Sequence, residues 1–275
     1  MLRQLIDTCC MGAARYSATA AQLMQRLITS IEAALMPRRC AFCGVVASDD
    51  ERCVCADCKA DLPWIRSSCE FCAMPLTGST PQGVPCADCQ LDPPPFTATL
   101  APLHYSFPVD AAIKAFKFHR KLHYQPAFSD ILLGVLAHLS EDIDAVLPVP
   151  LHRWRRMRRG FNQAEELARP VQKQLRLPLL DNVVRAKPTS YQSGLDAAER
   201  RRNLRSVFRV RGSINANHVL IIDDVITTGE TCRQLARVLF QSGVTKVSVL
   251  AVARASKMGP YGGLQQRSYT DGLKL

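Results

Sequence analysis

Eight cysteines stand in four Cys-x2-Cys pairs: Cys40 and Cys43, Cys55 and Cys58, Cys69 and Cys72, Cys86 and Cys89. Two thiolates separated by two residues in a tight turn can face one ion, and two such turns complete a tetrahedron around Zn²⁺. The spacing predicts two structural zinc ions. Sequential pairing of adjacent turns is the expected arrangement, and interleaved pairing of the first with the third also satisfies the spacing. A lone Cys-x2-Cys is shared with redox motifs; four in succession point to metal, with redox-active thiols or a disulfide set as the alternatives. Cysteine in all four positions leaves no place for water, so the zinc is expected to be structural rather than catalytic. Cys53 is a spare able to replace Cys55, while Cys9, Cys10 and Cys232 lack partners at ligand spacing and read as buried thiols.

A second group runs Val219-Leu220-Ile221-Ile222-Asp223-Asp224-Val225-Ile226-Thr227-Thr228-Gly229-Glu230-Thr231. Four apolar residues make a buried strand, two carboxylates appear where it emerges, and a hydroxyl- and glycine-rich turn follows. The apolar pattern of Leu235, Val238 and Leu239 then continues as a helix. Such a turn offers unpaired backbone N–H groups and the positive end of a helix dipole, a cradle for a phosphate. Gly229 lets the backbone approach closely, and Thr227, Thr228 and Thr231 add hydroxyl donors. Asp223 and Asp224 would repel that phosphate, so they suit something beside it: ribose hydroxyls or a cation.

The third chemical feature is charge. The chain of 275 residues carries a net +11, and residues 151–211 alone hold 16 Lys and Arg against 5 Asp and Glu. That segment accounts for the whole excess. Arginine outnumbers lysine there 14 to 2, which favours bidentate phosphate contacts. The clusters Arg153, Arg155, Arg156, Arg158, Arg159 and Arg200, Arg201, Arg202 exceed what one small phosphorylated ligand needs. Trp154, Phe161 and Tyr191 lie among them and can stack on bases, so single-stranded nucleic acid is an expected partner. The six histidines show no ligand or triad spacing and read as structural.

These groups need elements to position them. Residues 1–36 are expected to form a helical segment, with Leu23, Leu27, Ile28, Ile31 and Leu35 at helical spacing, ended by Pro37. Residues 37–95 hold nine of the twelve cysteines and few aliphatic residues, and finish in three prolines. Metal is expected to supply much of this region's folding free energy. In residues 96–255, strand candidates at 97–105, 145–149, 219–222 and 247–252 take turns with helix candidates at 109–118, 128–139, 162–175 and 231–242. That alternation predicts an α/β domain with a parallel sheet and helices on both faces, its ligands bound beyond the carboxyl ends of the strands. Residues 256–275 are a tail. No apolar run approaches the roughly 18 residues of a membrane span, and no secretory leader is legible, so the expected location is the cytoplasm.

The strand, acidic pair and Thr-Thr-Gly-x-Thr turn resemble the 5-phosphoribosyl-1-pyrophosphate (PRPP) motif of type I phosphoribosyltransferases. More of the chain is similar to one branch, the ComF/GntX family of competence-associated proteins. Val149-Pro150-Leu151 and Arg158-Arg159-Gly160-Phe161-Asn162-Gln163-Ala164 match its arginine-rich loop and following helix. Thr189, Gln192, Leu195, Arg200, Asn203 and Phe208 match its next segment, Ile113 to Lys117-Phe118 its early Lys-Phe element, and Cys40 to Cys89 its double zinc ribbon. The resemblance covers about residues 23–255. It implies a double zinc ribbon followed by a Rossmann-like phosphoribosyltransferase domain.

The resemblance further implies that Asp223 and Asp224 are the catalytic carboxylates, binding ribose hydroxyls directly or through Mg²⁺. Thr227, Thr228, Gly229, Glu230 and Thr231 would hold the 5-phosphate, with Arg158 and Arg159 by the pyrophosphate. It implies PRPP, single-stranded DNA and competence-machinery proteins as partners, in DNA uptake during natural transformation. Active transfer of phosphoribose to an unidentified base or amine is the alternative, and no residue legible in the sequence selects the acceptor. Nucleic-acid contacts are expected from Arg153, Arg155, Arg156, Arg200, Arg201 and Arg202.

Overall fold

The computed structural model describes residues 38–46, 53–76, 84–139, 142–186 and 207–256. The helix expected before Pro37, the tail, Cys9, Cys10, and the segment from Thr189 through Tyr191, Gln192, Leu195 and Arg200 to Asn203 lie outside these residues. The chain divides into two units, Met1–Ala56 and Asp57–Leu275. In the first, the Cys40 amide donates to the Val45 carbonyl and the Gly44 amide to the Cys40 carbonyl, closing a tight turn around the first cysteine pair. Gly44 takes φ +76°, the left-handed region that a side chain disfavours.

The second unit contains the helices α1 (Ala56–Asp61, which starts at the boundary) and α2 (Ala87–Leu91), followed by a mixed α/β body. Its strands are β1 (Ala98–Leu100), β2 (Leu103–His104), β3 (Ala145–Pro148), β4 (Val183–Arg185), β5 (Phe208–Val210), β6 (His218–Ile226) and β7 (Lys246–Arg254). Its helices are α3 (Val109–His119), α4 (Tyr124–Val135), α5 (Arg153–Arg159), α6 (Gln163–Leu175) and α7 (Glu230–Gln241). Five strands form a parallel sheet in the order β1-β7-β6-β3, with β2 also on β7; β4 and β5 pair antiparallel on their own. This is the cysteine-rich ribbon and mainly parallel, Rossmann-like sheet that the sequence predicts.

Boundaries differ where hydrogen bonding overrides pattern. The single strand expected at 97–105 is interrupted at Pro102, which has no N–H to give β7 and whose carbonyl instead accepts from Ile65. The strand expected to stop at Ile222 runs on to Ile226, because β7 stays in register alongside it: Asp223 faces Ala251, and Ile226 faces Arg254. Helix α4 begins four residues early, with Pro126 in its first turn, where its missing donor costs no helical hydrogen bond. Helix α5 and the β4–β5 hairpin are additional to the sequence reading.

β6 and β7 are buried along almost their whole length. Alternation of side chains divides their apolar residues between two faces. Leu147, Ile221, Val249 and Ala251 join Leu235, Ala236 and Leu239 of α7, with Val183 and Phe208 of the hairpin. Across the sheet, α6 packs on β3 and β6, and α4 packs on α6. Truncating one such fully buried leucine to alanine costs about 2–5 kcal/mol, so the strand ends that carry the site are fixed by a rigid core.

Candidate functional site

A crevice of about 270 Å³ opens at the carboxyl ends of β3 and β6. Asp223, Asp224, Thr227, Thr231 and Arg159, all predicted for PRPP, line it. So do Lys117 from α3 and Arg155, which the sequence reading had assigned to nucleic acid. The two carboxylates are close enough for the charge of Asp224 to act on Asp223. Asp224, 5% exposed, meets Lys117 Nζ at 2.8 Å through Oδ1. Asp223 accepts from the Asp224 amide at 2.9 Å and lies toward Cys232 of α7.

Burial and the neighbouring charge of Asp224 push the Asp223 carboxyl up to about 8, with Lys117 and the Asp224 amide opposing them. Burial also pushes Tyr105, on the crevice wall, up, and Arg159 down. Cys232 is 2% exposed, in keeping with an inert buried thiol.

The turn after β6 starts α7 from Gly229, whose φ of +77° suits glycine. Thr228 and Gly229 line a separate void of about 30 Å³ on the other side of the turn. Glu230 bonds Gln234, and Arg158 gives its carbonyl to Arg120; neither lines the crevice. Asn162 does line it, anchored by Nδ2 donating to the Val149 carbonyl at 3.1 Å. Gly160, φ +85°, ends α5 where a side chain would meet the Arg120 guanidinium at 3.2 Å.

Beside the crevice lies a larger cavity of about 820 Å³, between α5 and the β4–β5 hairpin. Arg153 and Arg156 line it, joined by Arg185, Arg209 and Arg211, which the sequence reading did not single out, and by Trp154. Pro150, Leu151, Asn162 and Arg185 border both spaces. Part of the positive charge is spent locally, since Arg156 and Arg169 both pair with Glu165, at 3.1 and 3.0 Å. Arg200, Arg201 and Arg202 lie outside the described residues. Lys117 is the site residue that sequence reasoning left without a role. Its signal was present in the Lys-Phe element of α3, but only the fold carries that element to Asp224.

The cysteines form two sequential groups, Cys40, Cys43, Cys55, Cys58 and Cys69, Cys72, Cys86, Cys89, with sulfurs in each within 4.8 Å of one another. The interleaved pairing is thereby ruled out. Cys43 and Cys55 sulfurs are 3.7 Å apart, and Cys72 and Cys86 sulfurs 3.6 Å. A tetrahedron with Zn–S bonds of about 2.3 Å has edges near 3.8 Å, whereas a disulfide requires about 2.05 Å, so the donor sets fit zinc. The first group uses Cys55; Cys53 contributes its carbonyl to the Ala41 amide. Burial raises the Cys40 thiol, but amides of Cys43, Cys55 and Phe42 outweigh it and bring it down to about 6. Burial, reinforced by neighbouring sulfurs, pushes Cys89 well up. Amides that favour thiolate, crowded sulfurs that resist it: a cation resolves that conflict. No helix among the described residues is long and apolar enough to cross a membrane.

Residues 31–90 match the double zinc ribbon domain family. The DNA utilization protein YhgH of Escherichia coli (strain K12) is 30% identical over 225 residues, covering 80% of this chain and 98% of that protein. Competence protein F of Haemophilus influenzae is 34% identical over 179 residues, 62% of this chain and 78% of that protein. Competence protein ComFC of Streptococcus pneumoniae is 24% identical over 231 residues, 78% of this chain and all of that protein. With a ribbon of paired cysteine sites, a parallel sheet ending in a crevice lined by twin carboxylates and basic side chains, and relatives aligned over most of its length, the chain belongs to the ComF family.

Proposed function

We propose that this chain binds PRPP with Mg²⁺ in the crevice after β6 and serves DNA uptake or utilisation by handling single-stranded DNA. One observation carries the reading: twin carboxylates, hydroxyl-bearing turn residues and the cations Lys117, Arg155 and Arg159 line a single crevice. A phosphorylated pentose presents those complements side by side, hydroxyls for carboxylates and phosphates for amides and cations. Hard carboxylate oxygens also suit Mg²⁺. When bound, the ion would neutralise charge on the pyrophosphate; Asp223 and Asp224 are the residues that would hold it. Thr227 and Thr231 would take the 5-phosphate, and Arg155 and Arg159 the pyrophosphate end.

The names of the relatives, DNA utilization and competence, support a DNA-linked role. Arginines flanking Trp154 along the larger cavity are suited to a single strand: guanidinium for phosphate, indole for base. Isothermal titration with PRPP and Mg²⁺ tests the first part. Wild type is expected to bind, and Asp223→Ala with Asp224→Ala to lose binding; a wild type that does not bind refutes it. For the second part, oligonucleotide affinity should fall with salt by roughly 0.7 log units per phosphate contacted per log unit of salt.

A second reading, active phosphoribosyl transfer, is favoured by the 820 Å³ cavity that shares Asn162 and Arg185 with the crevice. That space has room for an acceptor. Pyrophosphate release across a panel of bases and amines distinguishes turnover from binding.

A further inference from the structure

Arg254, the last residue of β7, is 4% exposed. A buried guanidinium needs acceptors, and among the described residues those of Arg254 are main-chain carbonyls. Nε donates to the carbonyl of Cys72, in the second cysteine group, at 2.8 Å. Nη1 donates to Ile226 at 3.1 Å, to Thr227, and to Ala255 at 2.6 Å. One side chain therefore joins a metal-site turn to the turn that follows β6.

In a planar trans peptide the C=O and the next N–H point in opposite directions. Holding the Ile226 and Thr227 carbonyls on Arg254 therefore turns the Thr227 and Thr228 amides the other way, free of that contact. Thr227 itself lines the crevice. The other end of the brace is fixed as firmly. Thr99 of β1, 2% exposed, donates its amide to Glu70 at 2.8 Å and its Oγ1 to Phe71 at 2.7 Å. Arg233 of α7 bonds the Asp92 carbonyl at 3.0 Å, beyond the last cysteine of the group. Cys72, Thr228, Gly229 and Arg254 line one 30 Å³ void.

We infer that the second cysteine group, through the Cys72 carbonyl and Arg254, sets the peptide planes of the turn at 226–229, so that Arg254 is a positioning residue for the anion cradle and the metal state of that group controls it. The planar fork is essential, since Nε and Nη1 serve acceptors in different directions that a lysine ammonium cannot span. The inference rests on the PRPP reading for its ligand but not for its structural content.

Four variants of the full chain test it: Arg254→Lys, Thr99→Val, Cys89→Ser and Cys43→Ser. Each is followed by zinc content, by amide hydrogen exchange of Ala255 and Arg233, which donate to the Ile226 and Gly229 carbonyls of the turn, with residues 219–222 as a folding control, and by PRPP titration. Arg254→Lys should keep both zinc ions yet exchange at Ala255 and Arg233 about tenfold faster and bind PRPP about tenfold more weakly, the scale of one lost charged hydrogen bond. Cys89→Ser should lose one zinc and match it. Thr99→Val, which removes only the Oγ1 contact to Phe71, should shift both readouts less but in the same direction. Cys43→Ser should lose one zinc and leave the turn at wild-type protection, because the acceptor of Arg254 is untouched. Wild-type protection in Arg254→Lys, or equal effects of Cys89→Ser and Cys43→Ser, overturns the inference. If wild type binds no PRPP, the function above fails, while exchange alone still decides the brace.

Discussion

The two ends of β6 hold similar side chains and do different things. At the carboxyl end, Asp224 meets Lys117 and, with Asp223, lines an open crevice. At the amino end, His218 contacts Asp142 through Nδ1 at 3.0 Å and Ser248 through Nε2 at 2.9 Å, the contact pattern of an acyl-transfer triad. Ser248, however, is 1% exposed, and Asp142 also takes Lys246 Nζ at 2.6 Å. The cluster clamps the starts of β6 and β7, with Asp144 accepting the Asn217 and His218 amides alongside. Residue type does not make a site; access at the right end of a parallel strand does.

That contrast can be broken by substitution. The largest effect is expected from Asp223→Ala with Asp224→Ala, which should weaken PRPP binding about a hundredfold or more, the scale of two charged hydrogen bonds. Calorimetry should show this with the melting temperature held or raised, since two crowded carboxylates are gone. Next, His218→Ala should destabilise the fold by about 2–4 kcal/mol through a lost buried ring and two hydrogen bonds, measured by urea unfolding, with ligand affinity unchanged. Reversed outcomes would make the amino end the functional one.

pH sharpens the comparison. With burial and Asp224 pushing the Asp223 carboxyl up to about 8, PRPP and Mg²⁺ affinity should climb with pH through that range and then level, and Asp223→Asn should reduce the slope. The stability sign is opposite: between the ordinary 3.8 and about 8 the folded chain keeps a proton that the unfolded chain releases, so this group's contribution falls as pH rises. Urea unfolding at stepped pH reads it. The smallest effect is expected from Arg169→Ala, which removes an exposed partner of Glu165 and should change stability by less than about 1 kcal/mol.

Much of this was legible from spacing. The cysteine pairs announced two four-sulfur groups, and the stretch from Asp223 to Thr231 announced an acidic strand end, a glycine turn and a helix start. The sequential grouping of the cysteines was expected but not fixed: adjacent and interleaved pairings obey the same spacing, and only the three-dimensional path of the chain separates them. Arg155 was assigned to nucleic acid because it sits in an arginine cluster, yet it turns into the crevice, since neighbours on a helix point about 100° apart. Arg185, Arg209 and Arg211 were missed because they sit singly in or beside short hairpin strands, with no local pattern to mark them.

By itself the sequence determined the local chemistry: ligand types and spacings, the buried strand that ends in acid, and the glycine where the backbone turns left-handed. Those depend on neighbours a few residues apart. Tertiary structure alone decided that Lys117 reaches Asp224 across more than a hundred residues, and that Arg254 spans from Cys72 to Thr227. Such contacts follow from the order of strands in the sheet and from the need of a buried charge for acceptors, and neither leaves a periodic trace along the chain.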